Sequence, residues 1–218
     1  MNKLFAIFDM DGTLVDSMVY WQRLGREYLT AQGVTEGMDE VLERIKAMTM
    51  AESSALFIET FGLPGTPESV AAEMNAVMDE HYRSDIPLKP GAAEYLAALK
   101  NRGVKMCVAT ATPEPLARAC LKRLGVLEDF AFLLSCDEVA AGKDRPDVFF
   151  EAARRLGSAP AETAAFEDAL FAARTAKDAG FYTVGVYDAS GDGHWNELTA
   201  LADETVRDWS AAAERMKI

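Results

Sequence analysis

The run Leu4-Phe5-Ala6-Ile7-Phe8 leads straight into Asp9-Met10-Asp11-Gly12-Thr13, and this junction narrows the possible folds more than any other stretch. A short apolar run bounded by turn residues reads as a strand buried on both faces, as in a parallel sheet. Two carboxylates arrive where that strand ends. Residues two apart on an extended chain point to the same side, with Cα atoms about 6.6 Å apart. Like charges so placed repel, and each resists burial. Such a strand tip requires a compensating cation. Gly12 admits backbone conformations that other residues resist, so the chain can turn sharply and present Thr13. In open α/β sheets, ligands bind at the carboxyl ends of the strands. An acidic turn with Asx-type hydrogen bonds would use the same residues.

Beyond Asp16 the pattern becomes helical. Segments near 18–32, 39–46, 50–60 and 67–83 have helical periodicity, broken by Gly33, Gly37, Gly62-Leu63-Pro64-Gly65 and Pro67. From Pro87 onward strands and helices alternate. Strands are expected at Val104–Thr110, Phe130–Ser135, Thr163–Phe166 and Tyr182–Tyr187, with a short extended piece near Thr205–Val206. Helices are expected from Pro90-Gly91 to Lys100, then at Glu114–Leu124, Pro146–Leu156, Ala169–Ala179, Trp195–Leu201 and Ser210–Lys217. Repeated βα units imply an α/β fold: a Rossmann-like, doubly wound parallel sheet. The expected division is a core of residues 1–15 and 88–218, with a helical cap domain of residues 16–87 inserted between. An insertion immediately after a ligand-binding strand tip is suited to be a lid.

With 218 residues, half of them hydrophobic, the chain can build a sizeable core. A net charge of −13 argues against non-specific binding to nucleic acid or to an anionic membrane surface. An acidic protein that binds an anion needs a local metal, lysine or helix N-terminus. The three cysteines, Cys107, Cys120 and Cys136, lack C-x-x-C spacing and fit a reduced, cytoplasmic protein. The N-terminal apolar run is too short for a signal peptide, and no stretch approaches the ~20 apolar residues of a membrane span. Two histidines, His81 and His194, offer no zinc spacing. A monomer is expected.

The later strand ends are also polar. Val108-Ala109-Thr110-Ala111-Thr112 provides hydroxyls and backbone N–H groups that can hold an anion, although Thr112 equally suits a helix N-cap. Lys143, in Gly142-Lys143-Asp144-Arg145-Pro146-Asp147, can bind phosphate as a point charge or can be a solvated loop lysine. Phe166-Glu167-Asp168 adds two carboxylates, hard oxygen ligands that favour Mg2+. An acidic helix N-terminus would look the same.

These four motifs, in this order, resemble the haloacid dehalogenase superfamily of phosphohydrolases, in the branch with a helical cap after the first strand (subfamily IA, C1 cap). The nearest pattern is that of β-phosphoglucomutase-like and phosphoglycolate-phosphatase-like proteins. The resemblance implies an aspartyl-phosphate phosphatase. In it Asp9 is the nucleophile, and Asp11 is the acid that protonates the leaving oxygen and then activates water. Mg2+ would be held by the Asp9 carboxylate, the Asp11 carbonyl and Asp168, with Glu167 acting through water. Thr110, the Ala111 N–H and Lys143 would hold the phosphoryl group, with Thr112 nearby. The family's dehalogenases lack the second aspartate, which is present here as Asp11.

True β-phosphoglucomutases carry a histidine on the first cap helix and a cap arginine. By counting, Trp21, beside Tyr20, and Met50 stand in those places. Trp21 is thus a candidate substrate contact, and the missing charges favour a phosphatase of small phosphorylated metabolites over a sugar-phosphate mutase. Core packing would also explain both residues. Receiver domains combine similar residues. They lack a helical insertion of this size and the acid two residues after the nucleophile. A non-catalytic protein that binds a phosphorylated metabolite is the remaining alternative.

Overall fold

The computed structural model describes residues 2–45 and 48–216. In chain order, β1 (Phe5–Phe8) is followed by four helices, α1 (Met18–Ala31), α2 (Met38–Ile45), α3 (Met50–Phe61) and α4 (Pro67–Ser84). Alternation then begins with α5 (Ala92–Asn101), β2 (Lys105–Thr110), α6 (Glu114–Arg123), β3 (Leu133–Ser135) and α7 (Cys136–Val139). It continues with α8 (Asp147–Leu156), β4 (Thr163–Glu167), α9 (Leu170–Asp178), β5 (Tyr182–Val186), α10 (Trp195–Leu201), β6 (Glu204–Val206) and α11 (Trp209–Arg215). Two compact units result: Met1–Met18 with Asp85–Ile218, and Val19–Ser84. The first carries all six strands. The second is helical, with α3 held by a Thr49–Glu52 capping box. Among the described residues, no helix is long and apolar enough to cross a membrane.

The sheet is parallel throughout, in the order β3-β2-β1-β4-β5-β6. This is the α/β doubly wound architecture that the βα alternation predicts. Helices cover both faces, so the central strands are apolar along their length rather than alternating. All of β4 and all of β2 except Lys105 are buried. On one face Ile7, Cys107, Ala109 and Ala165 pack with Phe149, Ala152 and Phe181. On the other, Phe8 stacks on Phe166 at 4.2 Å between ring centroids, and Tyr95 meets Trp209 at 4.8 Å. Each such side chain contributes on the order of 1.5–3 kcal/mol by leaving water.

β1 is central, and its register sets the site. Phe8 lies level with Val108 of β2 and Phe166 of β4. The Asp9 N–H donates to the Phe166 carbonyl at 3.0 Å, which aligns the ends of β1 and β4. Three cysteines lie buried and unbridged, and burial pushes the Cys107 thiol well above its ordinary pKa.

Some boundaries differ from the sequence expectation. The strand expected at Phe130–Ser135 is confined to Leu133–Ser135. Leu127–Asp129 forms a 3-10 turn whose closing N–H belongs to Phe130, so pairing starts later. α7 was not anticipated, although Ser135-x-x-Glu138 is a capping box in sequence and in structure. α11 starts one residue early, because the Asp208 carboxylate accepts the Ala211 N–H at 2.8 Å. The expected helix ends at Lys46 and Lys217 lie outside the described residues.

Gly91 shows how tightly α11 sits. It adopts φ +87°, and a Cβ there would collide with the backbone of Ser210. Beside it, the Trp209 indole N–H donates to the Thr13 carbonyl at 3.0 Å, in a buried position. Trp209→Phe keeps most of the ring packing and leaves that carbonyl without its donor. Loss of about 1–3 kcal/mol is expected, read as a lower urea midpoint with an unchanged slope.

Candidate active site

Three carboxylates converge where β1 and β4 end. Asp9 follows β1, Glu167 is the last residue of β4, and Asp168 comes next. One carboxylate oxygen from each lies within 4.8 Å of the others. Lys143 enters from the loop between α7 and α8. Its ammonium pairs with Asp9 Oδ1 and donates to Glu167 Oε1 at 2.8 Å. The Lys143 side chain is only 6% exposed, so it is not a solvated loop lysine. Arg145, two residues on, is exposed and paired with Asp147 at 2.9 Å, away from this cluster.

The charges do not balance. Three carboxylates, two of them buried and one partly buried, face one ammonium, so with all of them ionised two negative charges remain uncompensated. Burial, opposed by Lys143 and reinforced by Asp9, pushes the Glu167 carboxyl well above its usual range. Burial, then Asp9, pushes Asp168 up to about 7. Burial works against the Lys143 charge, but Asp9 and Glu167 outweigh it and hold the ammonium above its ordinary pKa. One further observation completes the pattern: Asp9 Oδ2 is buried with no hydrogen-bond partner. Buried carboxylate oxygens without partners are costly. Hard oxygen donors, a deficit of two charges and an unpaired oxygen fit a divalent cation of the Mg2+ kind at the Asp9–Glu167–Asp168 cluster.

Local structure holds this cluster. Thr13 Oγ1 donates to Asp168 Oδ1 at 3.1 Å. Gly12 sits at φ +79°, and a Cβ on it would lie 2.8 Å from Asp168 Cγ. Glycine is therefore required twice over, for its backbone and for the space that the Asp168 carboxylate occupies.

Asp11 stands apart from the three carboxylates. Its Oδ1 accepts from Ser17 Oγ and its Oδ2 from Thr112 Oγ1, each at 2.7 Å, with Thr110 Oγ1 at 3.5 Å. Thr110 Oγ1 also accepts the Thr112 N–H at 3.0 Å, and both threonines are buried. Thr112 is not a helix cap: Pro113 precedes α6 without any side-chain cap bond, and the Thr112 hydroxyl is turned to Asp11. Ala111 lies between them on an exposed bend. Ser17 was not anticipated, because a serine just before a helix reads from sequence as a cap. Trp21 belongs to the helical unit, where its indole N–H donates to the Tyr82 hydroxyl at 3.2 Å. Met50 opens α3.

Comparison with known proteins identifies the family. The family model for haloacid dehalogenase-like hydrolases matches residues 5–180. The chain belongs to that family. It is 30% identical over 197 residues to the β-phosphoglucomutase of Bacillus subtilis, covering 83% of this chain and 82% of that one. It is also 30% identical over 207 residues to the validoxylamine A 7'-phosphate phosphatase of Streptomyces hygroscopicus, covering 93% and 92%. Among solved structures, a β-phosphoglucomutase-like protein of Thermotoga maritima superposes with a TM-score of 0.84 at 25% identity, over 98% of each chain. CbbY of Rhodobacter sphaeroides, crystallised with xylulose-1,5-bisphosphate, gives 0.73 at 26% identity, over 95% of each.

The raised carboxyl of Asp168 has a consequence for stability. An unfolded aspartate titrates near 3.8, whereas folded Asp168 holds its proton up to about 7. The metal-free folded state is therefore progressively penalised as pH rises through that window. A cation that binds the ionised form removes the penalty. The melting-temperature increase produced by saturating Mg2+ should be larger at pH 8 than at pH 5, as differential scanning fluorimetry can check.

Proposed function

We propose that this member of the family is a Mg2+-dependent phosphatase that hydrolyses a small phosphate monoester through an aspartyl-phosphate on Asp9. The observation that carries this reading is the buried Lys143 bridging Asp9 and Glu167 beside an unpaired Asp9 Oδ2. Lys143 engages one oxygen of Asp9 and so orients the carboxylate, leaving the other available for chemistry. Asp9 attacks phosphorus, forming an O–P bond as the bond to the leaving oxygen breaks. Asp11 gives that oxygen a proton. It then takes one from water, whose oxygen attacks phosphorus, releases inorganic phosphate and restores the Asp9 carboxylate. Ser17 and Thr112 hold Asp11 in place between these tasks. Asp9, the Asp11 carbonyl and Asp168, with Glu167 through water, would hold Mg2+, which would supply the charge neutralisation that lets a carboxylate meet a phosphate. Thr110, the Ala111 N–H and Lys143 bind the phosphoryl oxygens. The two relatives named as phosphatase and mutase both act on phosphorylated small molecules, which supports the substrate class.

The helical unit, inserted in sequence between β1 and β2, serves as the cap that selects the substrate. Its residues favour a monoester over a bisphosphate cycle. By counting along the sequence, Trp21, whose indole donates to Tyr82, and Met50, at the start of α3, take the places of the mutases' cap histidine and arginine.

Two outcomes are expected. Turnover of p-nitrophenyl phosphate should require Mg2+ and stop with EDTA, and Asp9→Asn should lower it by at least roughly a thousandfold without unfolding the protein. A rate indifferent to EDTA, or an active Asp9→Asn variant, overturns the mechanism. Conversion of β-glucose 1-phosphate to glucose 6-phosphate should stay at background in a coupled assay; efficient conversion would reassign the enzyme as a mutase.

A further inference from the structure

A fourth buried acid lies beside the cluster. Asp188 stands two residues past β5, the strand next to β4, and Glu167 is level with Gly185 across that pair. Its side chain is 5% exposed. Oδ1 accepts from the backbone N–H of Ser190, at 2.8 Å, and from its hydroxyl. Oδ2 pairs with Lys89 Nζ at 2.8 Å. The turn that follows lies against the proposed metal ligand: a Cβ on Gly191 would sit 3.9 Å from the Asp168 carbonyl oxygen.

Lys89 is equally fixed. Its side chain is 12% exposed, and Nζ also donates to the Tyr187 carbonyl at 2.8 Å. Its backbone N–H donates to the Leu14 carbonyl at 2.8 Å, and the adjacent Leu88 bridges to Val15. The pair therefore ties the segment that re-enters the core after the helical unit to the ends of β1 and β5.

A buried ion pair contributes little net stability, because desolvation offsets the attraction. Next to a cluster with surplus negative charge, its two halves have opposite effects. The β4–β5 pairing and the Gly191 turn against Asp168 bring Asp188, and with it Lys89, to that side of the cluster. We propose that Lys89 and Asp188 form a positioning pair that sets the cation affinity of the Asp9–Glu167–Asp168 cluster from beyond its ligands. Asp188 adds attraction for the cation and Lys89 restrains it. The inference rests on the divalent-cation reading given above.

Charge-removing variants separate this role from a structural one, because they predict opposite signs. Mg2+ titrated into the purified chain at pH 8, followed by calorimetry or by the melting temperature, gives the dissociation constant without turnover. Asp188→Asn leaves the Lys89 charge unopposed and should weaken binding by about three- to tenfold, while Lys89→Met should tighten it by a similar factor. The double variant should return close to the original affinity, and Lys89→Arg should keep it. Either single variant compared with the double one suffices if the other does not fold. Equal affinities throughout, or weakening in both single variants that the double one does not restore, overturn the proposal. Absence of any saturable Mg2+ effect in the unaltered chain overturns the cation reading itself.

Discussion

Carboxylates crowded together at the buried strand ends are the constraint around which this core is arranged. Ionised groups resist burial, and like charges resist each other. Asp9, Glu167 and Asp168 incur both penalties, and Lys143 compensates only part. The arrangement persists because the surroundings hold it. β1 and β4 are neighbours in register, so their ends coincide. Gly12 leaves room for the Asp168 carboxylate, and Thr13 fixes one of its oxygens. The crowded charges thus rest on the buried centre of a parallel sheet.

The two aspartates of the first motif occupy different chemical settings although one residue separates them. Asp9 lies among buried charges and keeps one oxygen unpaired. Asp11 rests on neutral hydroxyls from Ser17 and Thr112. A nucleophile gains from a bare, oriented oxygen, whereas a proton carrier gains from partners it can release. That contrast is what the proposed division of labour between them draws on.

Much of this was legible in the chain. Apolar runs ending in polar residues located β1 to β5, because strands buried on both faces cannot hide their composition, whereas β6 was legible only as a short extended piece. Glu167 and Asp168, at and just past the end of β4, and Lys143, in the loop after α7, could be singled out by their order along the chain. Ser17 and Asp188 could not. Each sits in a stretch that reads as a cap or turn, and only the fold shows which acid or lysine it meets. Lys143 illustrates the same limit from the other side: its position was predictable, but its burial was not. The Thr112 hydroxyl was ambiguous in sequence, since capping a helix and holding a side chain use the same chemistry.

Trp209 connects two distant parts of the chain. Its indole holds the carbonyl of Thr13, 196 residues earlier, and the Thr13 hydroxyl in turn holds Asp168. During synthesis every carboxylate of the cluster therefore leaves the ribosome before the residue that anchors the loop between them. The hydrogen-bonded chain from Trp209 through Thr13 to Asp168 is thus complete only once α11 has been made.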